Sequence, residues 1–149
     1  MGNALYGFIC DENAMHLASY FPHGRAKTVK QFGLLGESDD AILAKAWDSH
    51  LIVVTSNRDD FRERFLSFVP SGGKRKCTHL HGLVMFAETK DEQIGLFPSK
   101  KLERRLRLDG KAVTWRDVYQ GNLLVRANPQ RVSVERLPRC PGCRRLGAV

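Results

Sequence analysis

Two short apolar runs, each followed at once by polar and acidic residues, constrain the fold of this chain most strongly. The first run is Tyr6–Cys10, and the second is Leu51–Val54, which is continuous and rich in β-branched residues. Runs of this kind are typical of strands buried inside a parallel sheet. Helix-like stretches lie between the runs; one is predicted to begin after Ser38, a favourable N-cap residue. This alternation over the first 86 residues predicts an α/β sheet.

Acidic residues follow both apolar runs and open the intervening helix. Asp11 follows the first run, Asp59 and Asp60 follow the second, and Asp39 and Asp40 come directly after Ser38. The carboxyl ends of neighbouring parallel strands lie side by side, so these carboxylates are expected to converge. Converging carboxylates repel one another unless a cation neutralises them, and oxygen ligands suit Mg²⁺ or Mn²⁺. Such sites commonly act on phosphate esters, so the sequence predicts a metal-dependent nuclease.

The charge distribution favours a polyanionic partner. The chain has 149 residues, 42% of them hydrophobic, which predicts one domain over residues 1–137 followed by a basic tail over 138–149. Residues 1–70 carry a net charge of −2, whereas residues 71–149 carry +10. An acidic half beside a basic half fits a metal site next to a surface that binds RNA, although the basic half could also be only a solvated face. No apolar run has membrane-spanning length and no signal peptide is evident, so we expect a cytoplasmic protein without a membrane partner.

The stretch Ser99–Leu108 is predicted to be a basic helix with an apolar stripe. Its candidate nucleic-acid contacts are Lys100, Lys101, Arg104 and Arg105, which could follow a phosphate backbone.

A zinc site is a further hypothesis. Cys77 and His79 alternate with His81 on a predicted strand, which would put them on one face. Cys140 and Cys143 have the C-x-x-C spacing of zinc knuckles. Cys77, His79, Cys140 and Cys143 could together supply four ligands, but the histidines could equally form only a polar strand face.

Three motifs resemble one known family. The segment Tyr6–Arg62 resembles the PIN-like nuclease domains, in particular small prokaryotic PIN-like proteins that begin with a D-E-N motif. The matching segments are Asp11–Asn13, Asp39–Ala46 and Thr55–Phe61, and they occur in the order and with the spacing of that family. The resemblance implies a three-layer PIN-like α/β fold with a mainly parallel central sheet. It also implies a Mg²⁺- or Mn²⁺-dependent endoribonuclease, and many relatives are thought to be toxins of toxin–antitoxin modules.

The same resemblance assigns the catalytic set. By motif position Asp11 and Asp39 would bind the metal, and Asn57 stands where many relatives carry an acid. The third ligand would then be Asp59 or Asp60, while Asn57 would orient a water molecule or a phosphate oxygen.

Two alternatives to a nuclease stay open at this point. One is a catalytically weak PIN-like module that binds RNA or a protein, which the Asn57 substitution favours. The other is a zinc-stabilised nucleic-acid-binding protein. An antitoxin partner would accompany the toxin role of the nuclease, and the sequence is also compatible with a homodimer.

Overall fold

A computed structural model describes residues 7–21, 25–56, 59–67, 81–86, 102–127 and 131–137. Its central element is a six-stranded sheet, accompanied by a separate two-stranded hairpin. The strands of the main sheet are β1 (Gly7–Cys10), β2 (Ala26–Thr28), β3 (Leu51–Ser56), β4 (Leu83–Phe86), β7 (Leu123–Ala127) and β8 (Val132–Arg136), and those of the hairpin are β5 (Arg107–Leu108) and β6 (Lys111–Ala112). The helices are a 3₁₀ helix (Glu12–Tyr20), α1 (Asp39–Ser49), α2 (Asp59–Ser67), a short 3₁₀ turn (Glu103–Arg105) and α3 (Trp115–Gly121).

The main sheet has the strand order β2-β1-β3-β4-β7-β8. Every neighbouring pair from β2 to β7 is parallel, and only β8 runs antiparallel, at one edge. The prediction of an α/β fold with a mainly parallel central sheet is therefore confirmed. Parallel strands need long crossover connections, and α1 supplies one of them, between β2 and β3.

Alternating side chains divide the core between the two faces of the sheet. Phe8 and Cys10 of β1 belong to a cluster that includes residues of the long 3₁₀ helix and α3, whereas Ile9 belongs to a cluster with α1 and α2. The same alternation continues along β3 and β4. Both faces are covered, as a parallel sheet requires, and the result is three layers. None of the helices in the described ranges is long and apolar enough to cross a lipid bilayer.

The start of α1 follows the prediction closely. The hydroxyl of Ser38 accepts a hydrogen bond from the backbone N–H of Ala41 at 3.2 Å, as an N-cap residue does. Asp39 and Asp40 then occupy the first turn, where the helix dipole favours negative charge. The helix ends at Ser49, and its C-cap residue His50 adopts a left-handed conformation before β3 begins.

The predicted basic helix over Ser99–Leu108 is wrong from Leu102 onward. The chain makes only a short 3₁₀ turn and then enters the β5–β6 hairpin. Leu102 and Leu106 are both buried, so the apolar pattern did identify core residues. Their burial does not depend on an α-helix, however. The backbone N–H of Val113 donates to the carbonyl of Leu106 at 3.1 Å, a strand-like bond that competes with helical continuation.

Candidate functional site

Asp11 and Thr55 meet at the carboxyl end of the sheet. β1 and β3 pair in the register Cys10 to Val54, and the N–H of Asp11 donates to the carbonyl of Val54 at 3.0 Å. The next residue on each strand is therefore Asp11 opposite Thr55, and the Thr55 hydroxyl donates to Asp11 Oδ2. Both side chains are buried, with Asp11 only 2% exposed. The prediction that the ends of these two strands lie side by side is confirmed.

The second oxygen of the Asp11 carboxylate is also hydrogen-bonded. Asp11 is the N-cap of the long 3₁₀ helix, and its Oδ1 accepts from the N–H of Asn13 at 3.0 Å. Two donors therefore hold the carboxylate in one orientation although it lies in the protein interior. A buried carboxylate needs such partners, because desolvation without them is costly.

The pKa of the neighbouring Cys10 thiol shows that little water reaches this end of the sheet. Cys10 is buried, and burial first and the negative charge of Asp11 second raise the pKa of its thiol to about 12. Cys10 is therefore a neutral core residue at physiological pH. A neutral thiol is a poor nucleophile, so Cys10 is not a candidate for covalent catalysis.

Glu12 connects this site to the segment that leads into α1. Its Oε1 accepts a hydrogen bond from the N–H of Gly36, a residue 24 positions later in the chain. The N–H of Val29, just after β2, also donates to the carbonyl of Cys10 at 2.9 Å. These bonds hold the connection between β2 and α1 against the carboxyl end of β1. No local sequence pattern points from Glu12 to so distant a partner.

The first turn of α1 faces α2 through a shared arginine. Arg64 Nε lies 3.9 Å from Asp39 Oδ2, and Arg64 Nη1 lies 3.7 Å from Asp40 Oδ1. Asp39 is half-buried, whereas Asp40 and Arg64 are largely exposed. Asp39 is therefore positioned at an interface between the two helices, with a cation close to its carboxylate.

The structure describes only some of the other predicted site residues. Asp60 is exposed in the first turn of α2, and Asp59 begins that helix. Asn57 lies outside the described residues. Ser56, which the sequence did not single out, is buried beside Thr55 and ends β3.

The predicted RNA and zinc residues are mostly beyond the described ranges. Lys100, Lys101 and the four candidate zinc ligands, Cys77, His79, Cys140 and Cys143, lie outside the described residues, as does the predicted basic tail, residues 138–149. Arg104 is exposed and Arg105 is half-buried in the short 3₁₀ turn.

Within the described residues the site consists of one oriented carboxylate, Asp11, with the Thr55 hydroxyl and the Asn13 N–H bonded to its two oxygens. Within these ranges no group of three or more histidine, cysteine, aspartate or glutamate side chains is close enough to hold a metal ion. The site built by Asp11 and Thr55 is therefore a single buried carboxylate that accepts a hydrogen bond from one hydroxyl. Comparison with known proteins finds no matching protein-family model, no matching curated protein and no matching solved structure.

Proposed function

We propose that this protein is a divalent-metal-dependent ribonuclease of PIN-like type, with Asp11 at the centre of its catalytic site. The observation that carries the proposal is the buried Asp11 carboxylate, fixed by Thr55 at the carboxyl end of β1. In open parallel sheets, ligands bind outside the carboxyl ends of the strands. A buried, oriented acid at that edge is costly to maintain and is more useful to a reaction than to the core.

The oxygen atoms at this edge fit a hard cation such as Mg²⁺ or Mn²⁺. Asp11 would hold the ion; Asp39 and Asp60, in the first turns of α1 and α2, would have to move toward it when the metal binds, because no three such side chains are close enough to hold an ion within the described residues. A divalent ion there would offset the negative charge of a phosphodiester during hydrolysis. Thr55 and the N–H of Asn13 would keep the Asp11 carboxylate oriented while this happens.

RNA is the proposed substrate because the second half of the chain is strongly basic. Residues 71–149 carry a net charge of +10 beside the acidic first half. Phosphate contacts from lysine and arginine would supply most of the affinity, so binding should weaken steeply with salt. The candidate contacts are Arg104, together with Lys100 and Lys101, which lie outside the described residues. A role as the toxin of a toxin–antitoxin module is part of this proposal and requires an antitoxin partner.

The proposal is tested by metal-titrated cleavage of a single-stranded RNA. Asp11→Asn should abolish Mn²⁺-dependent cleavage, and Asp39→Asn should reduce it strongly. Asp48→Asn is the matched control, because Asp48 is an exposed acid in the last turn of α1, at the opposite end from Asp39. Full cleavage by a pure, folded Asp11→Asn preparation would refute the catalytic assignment.

A second candidate function is RNA binding without cleavage. It is favoured by Arg64, whose guanidinium already lies within ion-pairing distance of Asp39 and Asp40 and supplies charge that a metal would otherwise supply. In that case the wild-type protein binds RNA with a strong salt dependence but does not cleave it at any Mn²⁺ concentration.

A further inference from the structure

Two histidines and a tyrosine meet at the opposite, amino end of the sheet. His50 precedes β3, His81 lies two residues before β4, and Tyr119 belongs to the last turn of α3. The ring centroids of His50 and His81 are 5.2 Å apart, and those of His81 and Tyr119 are 4.9 Å apart. The Tyr119 hydroxyl lies 3.3 Å from His50 Nδ1. All three side chains are half-buried, and the Nε2 atom of His81 is shielded from solvent.

Two helix-to-strand turns at this end are built alike but use different residues. The C-cap residue of α1 is His50, with φ of 58°, and that of α3 is Asn122, with φ of 49°. Asparagine suits this left-handed conformation, and the Asn122 side chain also accepts a hydrogen bond from the N–H of Gly82 at 2.9 Å. Histidine gives the same turn no comparable backbone bond. Its imidazole is instead directed to His81 and Tyr119.

The spacing of the two imidazoles suits a shared metal ion. With metal–nitrogen bonds of about 2.0–2.1 Å and a tetrahedral angle, two bound imidazole rings have centroids roughly 5 Å apart. The observed separation of 5.2 Å agrees with that value. Imidazole nitrogens suit Zn²⁺, Cu²⁺ and Ni²⁺ better than Mg²⁺ or Mn²⁺.

Tyr119 provides the outer hydrogen bond that metal-binding histidines commonly make. If His50 Nδ1–H donates to the Tyr119 hydroxyl, the proton stays on Nδ1 and the Nε2 lone pair is available for a metal. The same bond fixes the plane of the His50 ring. Tyr119 is then a positioning residue and not a ligand.

We propose that His50 and His81 bind a Zn²⁺ ion at the amino end of the sheet, with Tyr119 orienting His50. Further ligands would have to come from outside the described ranges or from small molecules, because those ranges hold no group of three or more histidine, cysteine, aspartate or glutamate side chains placed to bind a metal ion. This site uses neither Asp11 nor the cysteines, so it is independent of the ribonuclease proposal. The ion would link α1, the start of β4 and α3.

The proposal is tested by zinc titration of the full chain, read by NMR of the histidine ring nitrogens. Saturating Zn²⁺ should shift the ring-nitrogen signals of both His50 and His81. His50→Asn should lower the zinc affinity of this site at least tenfold, and it should fold normally because asparagine occupies the equivalent turn at Asn122. Tyr119→Phe keeps the ring and should lower the affinity about tenfold through loss of the hydroxyl.

Asp11→Asn is the control, because Asp11 lies at the carboxyl end of the sheet, away from the histidines. It should leave zinc binding unchanged. If the signals of His50 and His81 stay in place while Zn²⁺ binds, another part of the chain holds the ion and the proposal is wrong. Unaltered affinity in folded His50→Asn would refute it equally. If Tyr119→Phe alone retains full affinity, Tyr119 is not a positioning residue.

Discussion

The two ends of the parallel sheet carry different chemistry although the same strands form both. At the carboxyl end, a buried aspartate is held by a threonine hydroxyl and a backbone N–H, so the side-chain groups that meet there are a carboxylate and a hydroxyl. At the amino end, two histidine rings and a tyrosine are in contact, and the polar groups are nitrogens and one phenol. The carboxyl end thus suits hard cations and phosphate chemistry, while the amino end suits a borderline transition metal.

The two ends also differ in how the backbone supports them. The carboxyl end is held by Glu12, which reaches the segment before α1. The amino end depends on turns with positive φ at His50, Gly82 and Asn122. Side-chain substitutions should therefore affect the carboxyl end most, and backbone substitutions should affect the amino end most.

The largest expected effect is that of Gly82→Ala at the amino end. Gly82 has φ of 109°, and an added Cβ would lie 2.8 Å from the carbonyl oxygen of Val118. The strained backbone and the clash with α3 should together lower the free energy of unfolding by roughly 3 kcal/mol, measured by urea denaturation.

Gly33→Ala is the matched control for this substitution. Gly33 also has positive φ, at 74°, but an added Cβ would have no neighbouring atom within 4 Å. It should cost only about 1 kcal/mol, from the backbone conformation alone. Equal losses for the two variants would show that the contact between Gly82 and α3 does not support the amino end.

A smaller effect is expected from Thr55→Val at the carboxyl end. Valine keeps the volume of the fully buried Thr55 but removes the hydroxyl that donates to Asp11. Leaving a buried carboxylate oxygen without this donor should lower the free energy of unfolding by about 2 kcal/mol. In an Asp11→Ala background the same substitution should cost much less. An identical loss in both backgrounds would mean that the two residues are not coupled.

A smaller effect, on the pH dependence of stability, is expected from the raised pKa of the Cys10 thiol. Its pKa is raised from 9.0 to about 12, so above pH 9 the unfolded chain ionises this thiol while the folded chain does not. Stability from this group is therefore complete below pH 9 and falls as the pH rises toward 12. Between pH 7 and pH 10 the wild-type protein should lose about 1.4 kcal/mol more than Cys10→Ala. The loss is measured by urea denaturation at the two pH values, and equal losses in both proteins would contradict the dry environment inferred for this edge.

The sequence predicted the parts of the fold that local patterns encode. The apolar runs before Asp11 and Thr55 identified two neighbouring strands, and Ser38 identified the start of α1. The helix α3 was missed, although Thr114 and Asp117 form a capping box whose T-x-x-D spacing is visible in the sequence. The predicted helix over Ser99–Leu108 failed because Leu102 and Leu106 have a spacing that suits a buried turn and hairpin as well as a helix.

The candidate site was predictable only where it follows from strand ends. Asp11 opposite Thr55 follows from the register of two parallel strands, which two apolar runs are enough to suggest. The bond from Gly36 to Glu12 and the contacts of His50 with Tyr119 join residues 24 and 69 positions apart. No periodic pattern connects such residues, so only the folded chain reveals them.

The most direct test of the difference between the two ends is anomalous diffraction from crystals soaked separately in Mn²⁺ and in Zn²⁺. We expect a manganese peak roughly 2.0–2.6 Å from an Asp11 carboxylate oxygen, and a zinc peak about 2.0–2.1 Å from imidazole nitrogens of His50 and His81. Manganese absent from Asp11 at concentrations that support RNA cleavage would contradict the account, as would manganese bound at the histidine pair.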